Sequence, residues 1–132
     1  MTIILDASVL IAHANPHDEH HQAAGRILSK WAPFGYATSV LTLAEFYAGP
    51  ARAGQLLAAE HIINSIGVVA IDIPATAATD LAQLRATHRL KMPDAAVLYT
   101  AQTHGDALGT FDNRLAAAAR LAGLRVPDYN TG

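Results

Sequence analysis

Short apolar runs, spaced along the chain with helical stretches between them, constrain the fold most. Residues 2–6 begin with Thr2-Ile3-Ile4-Leu5 and end on Asp6. Tyr36-Ala37, Val68 to Ile71 and Ala107 to Thr110 follow, and Arg125-Val126 is the last. Each is too short for a buried helix and reads as a buried strand. The predicted helices run from His17 to Trp31, from Thr38 or Ser39 through Glu45 to a stop at Gly49-Pro50, and from Ala51 to Ser65 before Gly67. Three more run from Ala75 to about Leu90, from Pro93 to Gly105 with proline at its favoured first position, and from Asp112 to Ala122 before Gly123. Strands alternating with helices predict an α/β fold, a three-layer α/β/α sandwich around a central, mostly parallel sheet of four to five short strands. No linker or repeat divides the chain, so residues 1–132 read as one domain and 129–132 as a loose tail.

Four carboxylates interrupt these apolar stretches. Asp6 is the only charged residue before Asp18, Glu45 the only one between Lys30 and Arg52, and Asp94 the only one between Lys91 and Asp106; Asp112 ends Ala107-Leu108-Gly109-Thr110-Phe111. A carboxylate in apolar surroundings costs several kcal/mol unless it is paired, hydrogen-bonded, protonated or metal-bound. In an open parallel α/β sheet, ligands bind beyond the carboxyl ends of the strands, and Asp6 and Asp112 each follow a strand directly. Asp94 falls at the start of a helix, and Glu45 lies within another. Three aspartates and a glutamate on one rim form a hard oxygen site that selects Mg²⁺ or Mn²⁺ over zinc and suits metal-assisted phosphodiester hydrolysis. Each acid taken alone also has a plain reading. Asp112 fits an ordinary helix N-cap, Asp94 a favourable charge at a helix N-terminus, and Asp6 an acceptor for the following turn. Glu45 fits no cap or helix ion pair, and the conjunction of all four carries the case.

Composition narrows the class. Charged residues are 15% of the chain against about 25% in ordinary domains. That points to a homodimer or apolar partner as readily as to an alanine-rich interior. Without cysteine there is no disulfide or thiolate zinc site. No basic leader precedes the first apolar run, and no apolar stretch approaches the roughly 20 residues of a membrane span, so the expected setting is cytoplasmic and off the membrane. Net charge is −2, so the electrostatic signal for nucleic acid is local rather than global. Arg85, Arg89 and Lys91 stand just before Asp94, where they suit phosphate contacts or a solvated helix face.

Four segments together resemble a known family: Ile3-Ile4-Leu5-Asp6-Ala7-Ser8-Val9-Leu10-Ile11, Ser39-Val40-Leu41-Thr42-Leu43-Ala44-Glu45, Met92-Pro93-Asp94-Ala95-Ala96-Val97 and Leu108-Gly109-Thr110-Phe111-Asp112-Asn113-Arg114-Leu115. In their order and spacing they are similar to the PIN-domain ribonucleases, and more closely to the VapC-type toxins of bacterial type II toxin–antitoxin systems. The resemblance implies a PIN fold and Mg²⁺-dependent cleavage of RNA, with Mn²⁺ able to substitute. Asp6, Glu45, Asp94 and Asp112 become the catalytic acids. Asp6 and Asp94 become direct metal ligands, and Glu45 and Asp112 reach the metal directly or through water. Ser8 and Thr110 match supporting polar positions. The resemblance also implies a homodimer and a cognate VapB-like antitoxin that joins it in a hetero-oligomer. Many relatives carry a further acid or Asn just after the Asp112 position; Asn113 leaves one or two metals open.

His13, His17, His20 and His21 imitate a zinc site, since His17 and His21 lie a helical turn apart, but no further ligand pattern accompanies them. Arg114 and His13 are further candidates for RNA contact. Two other functions compete. A catalytically silent PIN-like binding module would be expected to lack an acid, and none is missing. A Mg-dependent phosphoacceptor signalling domain would carry adjacent acids after the first strand, where Ala7-Ser8 stands.

Overall fold

The computed structural model describes residues 1–128; the tail expected at 129–132 lies outside them. Among these residues four strands, β1 (Ile3–Leu5), β2 (Tyr36–Ser39), β3 (Val68–Ile71) and β4 (Ala107–Gly109), pair in parallel in the order β3-β2-β1-β4. Of the expected strand at Arg125-Val126, only an isolated bridge from Arg125 to Ala107 forms. Among the described residues seven α-helices connect and cover the sheet: α1 (Ala7–Ala14), α2 (His21–Lys30), α3 (Val40–Arg52), α4 (Leu56–Ile66), α5 (Ala78–His88), α6 (Met92–His104) and α7 (Asn113–Leu121). Among the described residues no helix is long and apolar enough to cross a membrane.

The two-residue side-chain period of β1 explains the layers. Ile3 and Leu5 point into one core with Val9 and Leu10 of α1, Leu43 and Phe46 of α3 and Ile63 of α4. Ile4 points to the opposite face, into a second core with Val97 and Leu98 of α6 and Leu115 of α7. All three β1 side chains are fully buried, each favouring the fold by about 1.5–3 kcal/mol. Gly105, at the end of α6, permits the closest approach: a Cβ there would stand 2.5 Å from Cγ1 of Ile4. The three-layer α/β/α expectation therefore holds.

Several local expectations do not. The run Ala7–Ala14, which follows the first strand directly, is helical, because Asp6 accepts the Ala7 N–H and caps it. Helix α2 starts at His21 rather than His17. Asn15 Oδ1 accepts the His17 N–H at 3.0 Å and Asp18 Oδ1 accepts the His20 N–H at 2.8 Å, so two side-chain-closed turns take up those donors first. Helix α3 continues through Gly49-Pro50 to Arg52. Its stop is Gly54 at φ 70°, where the Gly54 N–H donates to Ala51 O and the Gln55 N–H to Pro50 O, a Schellman closure. Helix α6 begins one residue before Pro93, which makes Asp94 its third residue. Strand β3 was expected to be buried, yet Val69 is 61% exposed. It is an edge strand, and an apolar run does not reveal whether its place is central or marginal.

The strand order also sets where a ligand goes. The chain moves outward from β1 to β2 and β3, then returns to place β4 on the other side of β1. Connections leave β1 and β4 in opposite directions, which opens a crevice beyond their carboxyl ends. Asp6 follows β1, and Thr110 and Asp112 follow β4, so all three stand at this switch point.

Candidate active site

The site is built around Asp6, buried to 7% exposure between β1 and the start of α1. Its Oδ1 accepts the Ala7 N–H at 2.9 Å, and its Oδ2 accepts the Ser8 and Thr110 hydroxyls, each at 2.8 Å. Each hydroxyl has a single proton, so both are committed to Asp6 and the 3.4 Å approach of Ser8 Oγ to Thr110 Oγ1 is a contact without a bond. Each hydroxyl oxygen in turn accepts a backbone donor: the Phe111 N–H at 3.1 Å for Ser8, the Asp112 N–H at 3.0 Å for Thr110. Two hydroxyls thus tie the buried acid to the turn that carries Asp112. Asp112 caps α7 by accepting the Leu115 N–H at 2.9 Å, so the plain capping role operates in the same residue.

Thr110 is the more demanding of the two, being 2% exposed. Thr110→Val keeps its shape but removes one donor to Asp6 and leaves the Asp112 N–H without its acceptor. A loss of about 1–3 kcal/mol is expected in urea unfolding, with Thr110→Ser recovering most of it. Equal stability of the valine variant and the wild type would show that the bond network carries no weight.

Glu45, Asp94 and Asp112 line a groove of about 600 Å³ together with Arg89, Lys91 and Arg114. The carboxylates act on one another. Burial raises the pKa of Asp6 above the usual carboxylate range, with Asp112 adding to it, while the Ser8, Thr110 and Ala7 hydrogen bonds pull it back. Glu45 is raised by burial and then by Asp6 and Asp94. Asp94 is raised by burial and then by Asp6 and Asp112, with Lys91 and Arg114 opposing. The four acids expected to share a rim therefore do so. The burial cost falls mainly on Asp6; Asp94 is half-buried, and Glu45 and Asp112 are exposed to the groove.

This donor set fits a hard divalent cation. It is all oxygen, its charges repel one another, and Asp6 uses three of about four acceptor positions, leaving one on Oδ1. Among the described residues no three acidic or histidine side chains already stand in a closed ligand set. Mg²⁺ does not require one, because it usually keeps several waters and takes one or two carboxylates plus phosphate oxygens.

The other candidates divide. Arg89, Lys91 and Arg114 line the groove, as does Asn113. Arg85 does not; its Nε donates to Leu90 O at 3.3 Å and braces the end of α5. His13 also lies outside the groove lining, with its pKa lowered by burial and then by His21. His21 Nδ1 is 2.8 Å from Ala12 O, and His20 stacks on Phe111 with ring centroids 4.5 Å apart. No sequence signal pairs His20 with Phe111; they are distant in the chain, and only the fold lays the turn before α2 against the turn before α7.

A family model for the PIN domain matches residues 3–121. No curated protein matches the chain. Among solved structures, a toxin–antitoxin complex from Klebsiella pneumoniae is 25% identical with a TM-score of 0.77, covering 96% of this chain and 97% of that one. Mycobacterium tuberculosis VapC20, a sarcin-ricin loop cleaving toxin, is 23% identical with a TM-score of 0.73, covering 88% of this chain and 94% of that one. VapBC2 from Rickettsia felis, bound to a fragment of its promoter, is 17% identical with a TM-score of 0.72, covering 96% and 98%.

Proposed function

The chain belongs to the PIN-domain family, and on that premise we propose that it is a Mg²⁺-dependent endoribonuclease, the toxin of a VapBC-type toxin–antitoxin pair. The observation that supports this most is the groove in which Glu45, Asp94 and Asp112 meet Arg89, Lys91 and Arg114 above the buried Asp6. Acids alone would repel an RNA backbone; acids flanked by cations around a divalent ion bind one.

In this reading Asp6 and Asp94 hold the ion, with Glu45 and Asp112 directly or through water. When bound, the ion supplies positive charge at the scissile phosphate and lowers the pKa of water. Ser8 and Thr110 keep Asp6 oriented, and the neighbouring cations hold phosphate oxygens and stabilise charge that develops there. Glu45, exposed to the groove, would take the proton of the attacking water where it meets the ion through water rather than directly. The water oxygen bonds to phosphorus, the bond from phosphorus to the 3′ oxygen breaks, and that oxygen leaves protonated by solvent. The products carry 5′-phosphate and 3′-hydroxyl ends.

An antitoxin partner is part of the same proposal. A second groove of about 520 Å³, lined by Ile11, Phe46, Ala59 and Ile62, also reaches Glu45, so an apolar segment lying there would end at the acids. The 52% apolar composition and exposed Val69 agree with a homodimer within such an assembly. The test of the chemistry is to incubate the protein with RNA and Mg²⁺ or Mn²⁺ and sequence the new ends. Metal-dependent 5′-phosphate ends are expected. Ends bearing 2′,3′-cyclic phosphate would mean attack by the RNA's own hydroxyl and would overturn the water mechanism.

A further inference from the structure

Arg89 closes α5 in the left-handed region, at φ 55° and ψ 42°. Among the described residues it is the one non-glycine with positive φ; Gly35, Gly54, Gly67 and Gly123 fill the other such positions. Gly67 does so in the same helix-ending role, after α4. A Cβ makes that conformation costly and glycine adopts it freely, so a helix end of this kind favours glycine unless the side chain is needed. Here the side chain lines the acid groove.

The turn that presents it is held firmly. Leu90, the next residue, is 4% exposed in the core beneath α6, and the Arg85 guanidinium donates to its carbonyl. Among the described residues no hydrogen bond or ion pair occupies the Arg89 guanidinium.

We propose that Arg89 is the groove's substrate-phosphate clamp, kept in an unfavourable backbone conformation so that a free guanidinium is available to RNA. The proposal rests on the reading of the groove as an RNA-cleaving site and adds to it one residue with a separable role. A guanidinium presents two parallel donors to phosphate where an ammonium presents a point charge.

Opposite responses of stability and activity to one substitution give the test. Arg89→Gly, Arg89→Ala and Arg89→Lys are compared for Tm and for cleavage of single-stranded RNA across a KCl series. Both Arg89→Gly and Arg89→Ala are expected to lower kcat/KM roughly ten-fold or more, mainly through KM. They should also flatten the salt dependence by about 0.7 in log–log slope, one phosphate contact on a single strand. Arg89→Lys should restore that slope but only part of kcat/KM. Stability should follow the backbone instead: Arg89→Gly at or above the wild-type Tm, and about 3 °C above Arg89→Ala. Wild-type kcat/KM and slope in Arg89→Gly would overturn the clamp. A Tm for Arg89→Gly no higher than for Arg89→Ala would overturn the strain argument. A wild-type protein that cleaves no RNA would overturn the parent reading, and the clamp with it.

Discussion

Asp94→Asn is expected to reduce metal-dependent RNA cleavage about a thousand-fold or more in a protein that remains folded. Electrostatic stabilisation by a bound ion is worth several kcal/mol at the transition state, and each 1.4 kcal/mol is a factor of ten in rate. The amide keeps the size of the carboxylate and loses its charge, so ion affinity and activity fall together. The fold should not suffer. Asp94 carries a pKa raised by burial and by Asp6 and Asp112, which means that its ionised form is unfavourable in the metal-free protein. Replacing it with a neutral group relieves that repulsion, and the metal-free Tm should stay level or rise. Cleavage assays with Mg²⁺ and with EDTA, run beside a thermal melt, decide the matter. Unchanged Mg²⁺-dependent cleavage by the variant would remove the acids from the mechanism.

The second large effect concerns pH and metal together. The metal-free protein should become less stable as pH rises above the ordinary carboxylate range. Asp6, Glu45 and Asp94 are all raised from ordinary values of 3.8, 4.5 and 3.8, so the folded state binds more protons than the unfolded state between those values and the raised ones. Stability contributed by the protonated acids is complete below the unfolded values and is lost as pH passes through the folded ones. A divalent ion reverses the slope, because it binds only the ionised set and its affinity grows as the acids deprotonate. At a hundred-fold excess over Kd, Mg²⁺ should add about 2.7 kcal/mol at neutral pH, roughly 10 °C in Tm for a chain of this size. The same addition at pH 4 should do little. Thermal melts at both pH values, with and without Mg²⁺, measure this. An Mg²⁺ shift as large at pH 4 as at pH 7 would mean that the ion binds elsewhere.

Both effects arise from one arrangement, in which a rigid acid is placed among softer ones. Asp6 is locked by three hydrogen bonds, two from the start of α1 and one from Thr110 after β4, while Glu45 and Asp112 stand in the open groove. On the proposed reading, a fixed buried ligand would set the position of an ion, and the exposed acids would adapt to water and substrate around it.

Much of this is legible in the sequence. Alternating apolar runs and helical stretches were enough for a parallel α/β sheet, since helices covering both faces leave the central strands no polar side. Asp6, Glu45, Asp94 and Asp112 stood out because charge is costly in apolar sequence, and four matching segments linked them to one family. Local competition hid other features. Asn15 and Asp18 delayed α2 by satisfying its first donors, and Gly54 rather than Pro50 ended α3, because proline lacks a donor but keeps a carbonyl that accepts. What only the tertiary structure decided was proximity. Strand order puts the ends of β1 and β4 side by side, and that adjacency lets Ser8 and Thr110 grip one carboxylate from 102 residues apart. It also separates Arg89 from Arg85, which the sequence treats alike: one lines the groove from a left-handed turn, and the other holds that turn closed. Sequence sets which residues carry charge and which prefer helix or strand. Only folding sets which charges meet, because hydrogen bonds and repulsion act over a few ångströms of space, whatever the distance along the chain.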